Sequence, residues 1–584
     1  MTVESLITQH IDTWTSAVKT KSTSGRGSSK KLELYGVKKL RELILELAVR
    51  GKLVPQDPSD EPASVLLERI AAEKEQLVKE KKIKKTKLLP KLDCGDIPFD
   101  VPASWMWVRL GDIGYTQTGG TPKKNNPEHF GSEFPFIKPA DITDRDVRYD
   151  NEGLSNEGAD SLGRIAPSGS VLMVCIGTIG KCQLIKQDCA FNQQINSVTP
   201  FLPIGTFIFN ALRSSYFGKL AWELSSSTTI AILNKGKWES IPVPLPSISE
   251  QHRIVAKVDE LMTLCDQLEQ QTEASIEAHQ LLVTTLLNTL TNSADADELM
   301  ENWARISEHF DTLFTTEESI DQLKQTILQL AVMGKLVPQD PNDEPASVLL
   351  ERIAEEKAQL IKEKKIKKQK ALPLIADDEK PFDLPDGWEW ERIGNISHFI
   401  EYGSSQKTVD SLPNGVPVLK MGDIQNGQII LGDHKVMSAD VDELPNLYVK
   451  NNDVLYNRTN SAELVGKTGI YKGIDDKYSF ASYLIRIRCN SNNISPDYLN
   501  LSMNTPLFRL TQIEPHIKKQ CGQANVNGTL MKSMLISIPP LEEQKQVFLK
   551  VNELIGVCEK LKERIKISRT TQLHLTDTLV EQVL

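Results

Sequence analysis

The chain lacks the features of membrane and secreted proteins. It has no run of about 18 or more apolar residues, the length that a membrane-spanning helix requires. Residues 1–30 have neither the apolar core nor the cleavage site of a signal peptide. The eight cysteines form no Cys-x-x-Cys pair, which favours reduced thiols over disulfide bonds. These absences predict a cytoplasmic protein.

The cysteines also lack the pattern of a metal site. Cys175, Cys182 and Cys189 fall at every seventh residue, but no histidine clusters with them and zinc-binding loops use closer spacing. We therefore expect buried thiols and predict no metal site.

Catalytic motifs are missing as well. Gly466-Lys467-Thr468 resembles the end of a phosphate-binding loop, but Ser461 stands where that loop requires its first glycine. Pro539-Pro540 is not preceded by the Asn or Asp with which adenine methyltransferases hold the target amino group, and a rigid link between a domain and a helix explains the prolines instead. None of the nine histidines pairs with a nucleophile. The sequence predicts a non-catalytic chain.

A surplus of positive charge is missing too. The formal net charge is −10, whereas proteins that bind nucleic acid alone usually carry a basic surplus that displaces counterions from phosphates. Hydrophobic residues make up 40% and charged residues 25%, which is typical of a folded protein and not of a disordered one. Because 584 residues exceed what one hydrophobic core supports, we expect at least two folded units.

The chain does contain an internal repeat. Residues 44–90 recur as residues 327–373, and only eight of the 47 aligned residues differ. The similarity fades after residue 113 and returns in segments that begin at Leu245 and Ile536, at an offset of 293 residues. Two diverged blocks therefore lie between matched flanks.

The order of these parts indicates a circular permutation. A long helix predicted over about residues 249–291 is followed by a spacer and the second copy of the repeat, whereas the matching C-terminal helix has no copy after it. The remaining copy is N-terminal, at Leu32–Pro90, so we expect the N-terminal helices to pack against the C-terminal helix with pseudo-two-fold symmetry. The predicted domains are a helical region (1–90), a first block (91–248), a central helical region with a spacer (249–373), a second block (374–541) and a C-terminal helix (542–584).

The two long helices share an apolar seam. Apolar residues follow a 4-3 spacing typical of a coiled coil, and the two seams coincide at the offset of 293 residues. We expect an antiparallel coiled coil that holds the two blocks apart. Its seam residues are Ile254, Val258, Leu261, Cys265 and Leu268, with Val547, Val551, Leu554, Cys558 and Leu561.

The first and second blocks are rich in glycine, proline, asparagine and short β-branched runs, which predicts α/β or α+β domains with short strands. A lysine-rich run precedes each block, KEKKIKKTK at residues 79–87 and KEKKIKKQK at residues 362–370. Either run could be a solvated helix end, a contact to DNA phosphates or a contact to an acidic partner, and the sequence does not choose between them.

The permuted arrangement resembles the specificity (S) subunit of type I restriction-modification enzymes. The residues that carry the resemblance are TGGTPKKNNPEHFGSEFPFIKPADI (118–142), IGTIGKC and FNQQINSV in the first block, with the junctions IPVPLPSISEQ and ISIPPLEEQ. The repeated GKLVPQDPxDEPASVLLERI segments are most similar to the type IB branch. The resemblance covers essentially the whole chain.

The resemblance implies two target recognition domains, each of which reads one half of an asymmetric bipartite DNA site. It implies that two methyltransferase (M) subunits methylate adenine with S-adenosylmethionine, and that two ATP-dependent, Mg-requiring restriction and translocation (R) subunits cleave DNA. This chain would bind none of these cofactors itself. Residues 91–250 carry 14 basic and 17 acidic side chains (net −3), and residues 374–543 carry 16 and 22 (net −6), so the partners are expected to supply much of the phosphate neutralisation.

Polar loops in the two blocks supply the candidate DNA contacts. Hydroxyl, amide and basic side chains are the types that read base edges or hold phosphates. The candidates in the first block are Thr118, Thr121, Lys123, Lys124, Asn125, Asn126, Lys138, Lys181, Asn192 and Gln193. Those in the second block are Ser404, Ser405, Gln406, Lys407, Lys420, Asn457, Arg458, Asn460 and Lys467.

Two other functions remain open from the sequence. The chain could be a coiled-coil adaptor that binds two different proteins through its blocks, or a self-contained DNA methyltransferase or nuclease with an unrecognised active site. The recognised bases and the spacer length cannot be read from the sequence.

Overall fold

The computed structural model describes residues 3–22, 30–85, 88–123, 125–226, 230–517 and 524–584. The chain divides into two units. The first unit comprises Met1–Ser275 with Ser568–Leu584, and the second comprises Ile276–Ile567. Each division falls inside a long helix, so each unit takes residues from both long helices.

The first unit begins with two short helices and a hairpin, continues through the helical repeat and the first block, and ends at a long helix. Its helices are α1 (Val3–Gln9), α2 (Ile11–Ser16), α3 (Tyr35–Val49), α4 (Ala63–Lys79), α5 (Leu110–Ile113), α6 (Asn156–Leu162), α7 (Gly205–Arg213), α8 (Ser215–Glu223), α9 (Lys235–Glu239) and the start of α10 (Ile248–Asn292). Its strands are β1 (Lys19–Ser22), β2 (Lys30–Glu33), β3 (Met106–Arg109), β4 (Gly114–Thr118), β5 (Phe130–Ile137), β6 (Gly153–Leu154), β7 (Ile165–Ala166), β8 (Val171–Val174), β9 (Cys182–Leu184), β10 (Cys189–Phe191), β11 (Ile195–Pro200) and β12 (Pro242–Leu245).

The second unit repeats this order, with two added helices before the repeat. Its helices are α11 (Ala296–Glu308), α12 (Phe310–Leu313), α13 (Glu317–Val332), α14 (Ala346–Lys362), α15 (Ile393–Ile396), α16 (Leu444–Leu447), α17 (Pro496–Met503), α18 (Pro506–Phe508), α19 (Gly528–Ser533) and most of α20 (Leu541–Val583). Its strands are β13 (Glu389–Arg392), β14 (Phe399–Tyr402), β15 (Val416–Leu419), β16 (Ile424–Gln425), β17 (Gln428–Ile429), β18 (Val436–Met437), β19 (Val454–Asn457), β20 (Thr459–Asn460), β21 (Thr468–Ile470), β22 (Ser479–Phe480), β23 (Leu484–Arg488), β24 (Ala524–Asn525) and β25 (Leu535–Ile538).

The two copies of the repeat fold alike. Helix α3 ends before Gly51 (φ +68°) and α13 before Gly334 (φ +71°), the left-handed position that glycine adopts at no steric cost. Helices α4 and α14 pack on their respective blocks through matched residues, of which Leu66 and Ile70 are fully buried in the core of the first block.

The two blocks share a strand topology that their sequences do not reveal. In the first block the main sheet has the order β4-β11-β8-β9, and in the second the order β14-β23-β19-β21 continues into β17 and β16. A second sheet places β5 antiparallel to β6 and parallel to β10, as β15 is placed between β18 and β22. Pairs β3-β12 and β13-β25 close the two blocks in the same way.

One arginine closes each block at its base. The Arg109 guanidinium donates to the carbonyl oxygens of Pro90 (2.5 Å) and Ser240 (2.7 Å), which lie on opposite flanks of the first block. Arg392 donates in the same way to Pro373 (2.8 Å) and Ser533 (2.7 Å). The chain therefore enters and leaves each block at neighbouring points.

The chain ends meet within the first unit, as the permutation predicted. The Tyr35 hydroxyl donates to Asp577 Oδ1 at 2.7 Å, and Lys52 Nζ donates to the carbonyl oxygen of Leu584 at 2.7 Å. Both contacts join the N-terminal repeat to the last turns of α20, so the expected contact between the N-terminal helices and the C-terminal helix is confirmed.

The predicted seam residues lie inside the fold. Seven of them are buried, and Leu268, Leu554 and Leu561 are half-buried. In the second unit the seam of α20 packs in one core with α13 and with the end of α10; this core includes Val551, Ile327 and Leu287. The antiparallel coiled-coil pairing of the full helices stays a prediction.

The region expected to be a spacer is folded. Residues 293–316 contain α11 and α12, and Ile306, Leu313 and Phe314 are buried in the core of the second unit. The sequence predicted this segment only as a spacer, whereas its apolar residues pack in the same core as α13.

The thiols follow the sequence prediction. Burial raises the pKa of Cys175, Cys182 and Cys189 to about 12, which is typical of inert core cysteines. Among the described residues, no helix is long and apolar enough to cross a membrane.

Candidate nucleic-acid interface

In the first block, the candidate residues follow the ends of three neighbouring strands. Strands β5 and β10 are parallel and end at Ile137 and Phe191, and β4 ends beside the start of β11. Main-chain hydrogen bonds join the segments that leave these strands: Gly120 N donates to Phe191 O at 2.9 Å and Asn192 N to Ile137 O at 3.0 Å. The fold therefore gathers residues 118–121, 138 and 192–193 at one edge.

Hydroxyl and amide groups at this edge pair with each other. Thr121 Oγ1 donates to Gln193 Oε1 at 2.6 Å, and both side chains are exposed. Thr118 Oγ1 donates to Asn196 Oδ1 at 2.8 Å. The exposed Thr121–Gln193 pair presents an amide of the type that can bind adenine through two hydrogen bonds.

A glycine lets the two strand ends approach. A Cβ on Gly119 would lie 2.1 Å from the carbonyl oxygen of Asn192 and 2.3 Å from that of Phe191, closer than any side chain could occupy. Only glycine allows the strand β4 to leave the sheet at this point without moving the neighbouring backbone.

The lysines at this edge are partly engaged within the block. Lys138 Nζ forms an ion pair with Glu152, and Lys181 Nζ donates to the carbonyl oxygen of Pro139 at 3.2 Å. The main-chain N–H of Lys138 donates to Asp141 Oδ2 at 2.8 Å, which explains the KPAD motif as a turn. Both ammonium groups would have to exchange these partners to reach DNA.

Asn192 is placed differently from its neighbours. Its side chain is buried and donates to Gln194 Oε1 at 3.1 Å, so it shapes the loop and does not face solvent. Lys123 and Asn125 are exposed, and Asn126 is half-buried and precedes a short helical turn. Lys124 lies outside the described residues.

Arg164 was not predicted from the sequence. Its Nη1 donates to the carbonyl oxygens of Thr118 (3.2 Å) and Gly119 (2.8 Å), and its side chain is exposed. The guanidinium therefore stands beside the polar loop, as an additional cation at the candidate interface. Arg164 lies more than forty residues after that loop in the sequence, so no local motif predicted the contact.

The second block builds the same edge from different side chains. Ser404 N donates to Phe480 O at 2.8 Å and Ala481 N to Leu419 O at 2.9 Å, matching the two main-chain hydrogen bonds of the first block. A Cβ on Gly403 would lie 2.3 Å from the carbonyl oxygen of Phe480. Ser404 is buried and donates to Glu443, whereas Ser405, Gln406 and Lys407 are exposed on the loop that follows.

The other candidates of the second block divide between the core and the surface. Asn457 is buried and donates to Leu464 O at 3.2 Å, and half-buried Asn460 contacts Met421. Lys420 is half-buried, and its N–H donates to Asp423 at 2.7 Å as in the first block. Lys467 is exposed after Gly466, which has a φ of +89°.

Two tyrosines extend this edge beyond the sequence prediction. The Arg458 guanidinium lies 4.8 Å from the ring centre of Tyr402, and its Nη1 approaches the carbonyl oxygen of Ser482 at 3.4 Å. Tyr402 and the neighbouring Tyr483 are 44% and 50% exposed, and Arg458 is half-buried beside them. Guanidinium groups and aromatic rings are suited to base recognition and stacking.

The chemistry offered at both edges is hydrogen bonding and positive charge. Within the described parts of the chain, no group of three or more His, Cys, Asp or Glu residues is placed to hold a metal ion. The assignment of these residues as DNA contacts stays a prediction.

The chain is similar to proteins of one family over most of its length. The chain matches the family model of the type I restriction modification DNA specificity domain over residues 102–278 and 385–568. It is 41% identical to the Escherichia coli type I restriction enzyme EcoAI specificity subunit, over 100% of this chain and 99% of that protein. The Escherichia coli EcoEI specificity subunit is 42% identical, over 100% of this chain and 100% of that protein. A chain solved in a study of complex assembly and conformational transition of the type I R-M system is 16% identical, with a TM-score of 0.48 over 83% of this chain and 98% of that chain.

Proposed function

Because the chain belongs to the type I restriction-modification DNA specificity family, we propose that its two blocks each read one half of an asymmetric bipartite DNA site. The chain is the subunit that provides DNA sequence specificity in a type I restriction-modification system. In this proposal it carries no catalytic residues and acts by placing partner subunits on the selected DNA.

The proposal that each block reads its own half-site is supported by the matching backbone of the two candidate edges. The same main-chain hydrogen bonds and the same close glycine approach occur at Gly119 and Gly403, while the exposed side chains beside them differ. A common backbone with different side chains is what two domains need to read two different half-sites.

The partners follow from the family. The chain works with DNA and with methyltransferase and restriction subunits. We assign two M subunits that methylate adenine with S-adenosylmethionine, and two R subunits that use ATP and Mg to translocate and cleave DNA. The cytoplasmic location expected from the sequence belongs to the same proposal.

The acidic charge of the chain is compatible with this role if the partners share the phosphate contacts. The blocks are net negative, but each candidate edge carries an arginine, Arg164 beside Thr118 and Gly119 in the first block and Arg458 beside Tyr402 in the second. Base contacts need few charges, whereas counterion release needs many, and partner subunits can supply the latter.

Block exchange tests the proposal. Residues 91–248 are replaced by the corresponding block of a relative, and the chain is expressed with its M subunits in a host whose methylome is sequenced. One half of the methylated motif should change and the other half should stay. A change in both halves would show that the blocks do not read independently.

The alternatives have separate controls. The purified chain alone, incubated with DNA and S-adenosylmethionine, should not methylate adenine; methylation would indicate an active site of its own. A complex with M subunits that fails to retain DNA would favour a protein adaptor.

A further inference from the structure

Each long helix begins with a buried glutamate. Glu250 lies in the first turn of α10 and Glu543 in the first turn of α20, and each side chain belongs to a residue only 1% exposed. They are equivalent positions of the repeat, in the EQ that ends both junction motifs. Fully buried glutamate is rare in proteins unless it has a specific partner.

In the first unit, Glu250 joins three segments. Its Oε2 accepts a hydrogen bond from the Trp105 indole Nε1 at 2.8 Å, and its Oε1 accepts one from the Gln56 side-chain amide. Trp105 directly precedes β3 of the first block, and Gln56 lies between α3 and α4. One carboxylate therefore connects the long helix, the helical repeat and the first block.

The second unit repeats this arrangement. Glu543 accepts hydrogen bonds from Trp388 Nε1 at 2.9 Å and from Gln339 Nε2 at 3.0 Å. The three residues are the counterparts of Glu250, Trp105 and Gln56. The joint is therefore the same in both units although the blocks have diverged.

The segments around each joint are closely packed. A Cβ on Gly51 would lie 2.5 Å from Cγ of Pro102 and 3.2 Å from the Trp105 ring, and one on Gly334 would lie 2.4 Å from Cγ of Pro385. The glutamine that follows each glutamate also holds the junction, since Gln251 Nε2 donates to Pro246 O at 3.0 Å. Gln544 Nε2 donates to Pro539 O at the same distance.

The choice of glutamate is costly for stability. Burial raises the pKa of both carboxyls, although the two N–H donors and the positive end of the helix favour the charged form at each position, as does the nearby Arg253 at Glu250. Neither glutamate forms an ion pair among the described residues. A neutral side chain of similar size would avoid the cost of burying a charge. What a carboxylate adds is direction, because its two oxygens accept two donors at fixed angles.

We propose that Glu250 and Glu543 are positioning residues, each of which fixes the orientation of one block on its long helix and so sets the spacing at which that block accepts its half-site. This inference rests on the proposed function. A change of one base pair in the spacer moves a half-site by about 3.4 Å and rotates it by roughly 34 to 36°. A block that is held rigidly should reject that change, and a block that can pivot should tolerate it.

The test measures spacer discrimination in the complete methyltransferase complex. Duplexes carry the native site, or the same half-sites with the spacer one base pair shorter or longer. The readout is the ratio of the methylation rate on the native spacer to the rate on each altered spacer. Glu250→Gln keeps the size of the side chain but replaces one of its two acceptor oxygens by a donor, so it no longer offers a separate oxygen to each of Trp105 and Gln56. The ratio should fall at least about tenfold, while the base preference within each half-site stays unchanged.

Matched variants separate positioning from general stability. Glu543→Gln should lower the ratio in the same way through the second block. Glu273→Gln, on an exposed face of α10, removes a charge from the same helix and should leave the ratio unchanged. If either glutamine variant does not fold, Trp105→Phe and Trp388→Phe remove the indole N–H together with the five-membered ring and keep one aromatic ring, and the same loss of discrimination is expected.

The outcomes are distinct. A folded Glu250→Gln or Trp105→Phe complex with a lower melting temperature but an unchanged ratio would overturn the inference, because the glutamate would then serve stability alone. A wild-type complex that methylates no bipartite site would instead contradict the proposed function.

Discussion

At the scale of single residues, Gly403 is a position where an added side-chain atom has no room. Its Cβ would lie 2.3 Å from the Phe480 carbonyl oxygen, which belongs to a backbone held in the sheet. We expect Gly403→Ala to lower the free energy of unfolding by more than about 1 kcal/mol and to impair recognition by the second block only. Gly422→Ala is the control, since nothing lies within 4 Å of its added Cβ. Equal thermal unfolding of both variants would contradict the close approach.

Two lysines adopt a conformation that suits glycine. Lys81 and Lys364, which follow α4 and α14, both have a φ of +58°. A side chain in this left-handed region costs about 1 kcal/mol, so Lys81→Gly and Lys364→Gly should each raise the free energy of unfolding by about 0.5 to 1 kcal/mol. Lys84→Gly, outside this region, should give no gain in melting temperature. A loss of stability in both cap variants would indicate that the lysine side chains themselves hold the turn.

The lysine-rich runs that contain these positions are exposed in their described part, and their role stays open. Residues 86 and 87 of the first run lie outside the described residues. Lys82 pairs with Glu80 at 2.8 Å and Lys365 with Glu363 at 2.7 Å, as at the end of a solvated helix.

Residue roles at the candidate interface were only partly predictable. Thr121 and Gln193 were separate candidates in the sequence, and the fold brings the two side chains together. The sequence could not separate buried Asn192 and Asn457 from exposed residues, since burial depends on which strands pair. Arg164 contacts the carbonyl oxygen of Gly119 only in the folded chain, so no local sequence pattern predicted its position.

At the scale of elements, the contacts between α13 and α20 differ in charge order from their counterparts. Asp321 pairs with Lys562 at 2.6 Å in the second unit, whereas the equivalent positions in the first unit hold Lys38 and Glu269. Asp321→Lys should therefore destabilise the second unit, because it places two ammonium groups together. Adding Lys562→Glu should restore stability.

This double-mutant cycle should give a coupling of about 0.5 kcal/mol, since the pair is partly exposed. Melting temperatures of the two single variants and the double variant measure it. A coupling of zero would show that the exposed side chains do not hold the helices in register.

An ion pair at the start of α10 makes the first unit sensitive to pH. Arg253 donates to both oxygens of Asp60, at 2.6 and 3.1 Å, and this hydrogen bonding lowers the pKa of the Asp60 carboxyl. Because the folded pKa lies below the unfolded value of about 3.9, the stabilisation is present above that value and is lost as the pH falls through the folded pKa.

Arg253→Gln should therefore lower the melting temperature at pH 7, by an amount equivalent to about 1 kcal/mol or less, and the difference should vanish in acid. Gln546 occupies the equivalent position in the second unit, so Gln546→Ala serves as a control without pH dependence. A difference that persists at pH 2 would mean that Arg253 acts by packing.

Helices were predicted more accurately than strands. The long helix expected over residues 249–291 spans Ile248–Asn292, because its apolar spacing is sustained over many turns. The strands of the blocks are short, and their order depends on long-range pairing that a diverged sequence does not encode locally. Helices α11 and α12 within the expected spacer were not predicted from the sequence, and their apolar residues pack in the core of the second unit.

At the scale of the whole molecule, the long helices are expected to set the distance between half-sites. If the two blocks enter the major groove on one face of DNA, half-site centres should lie about one helical turn, roughly 34 to 36 Å, apart. Four residues inserted near Gln270 add about 6 Å and roughly 40° of rotation to α10. Methylation at the original site should be lost. The same insertion after Gln369, in an exposed connection, is the control. Unchanged methylation after the first insertion would show that α10 does not determine the distance.

The circular permutation was the most predictable feature. A repeat with 39 identical residues in 47 indicates directly that the N-terminal copy packs against the C-terminal helix. The common topology of the two blocks was not predictable, because the side chains at the two candidate edges differ and the shared features are main-chain hydrogen bonds.

The arginine at the base of each block has a genetic consequence. Arg109 and Arg392 hold the entry and exit strands of a block side by side, and nearly identical amino-acid segments precede the two blocks. A recombination event between such segments would transfer a complete block whose two ends already fit the recipient. New pairs of half-sites could then arise by shuffling intact cassettes between alleles, without any point mutation in the scaffold.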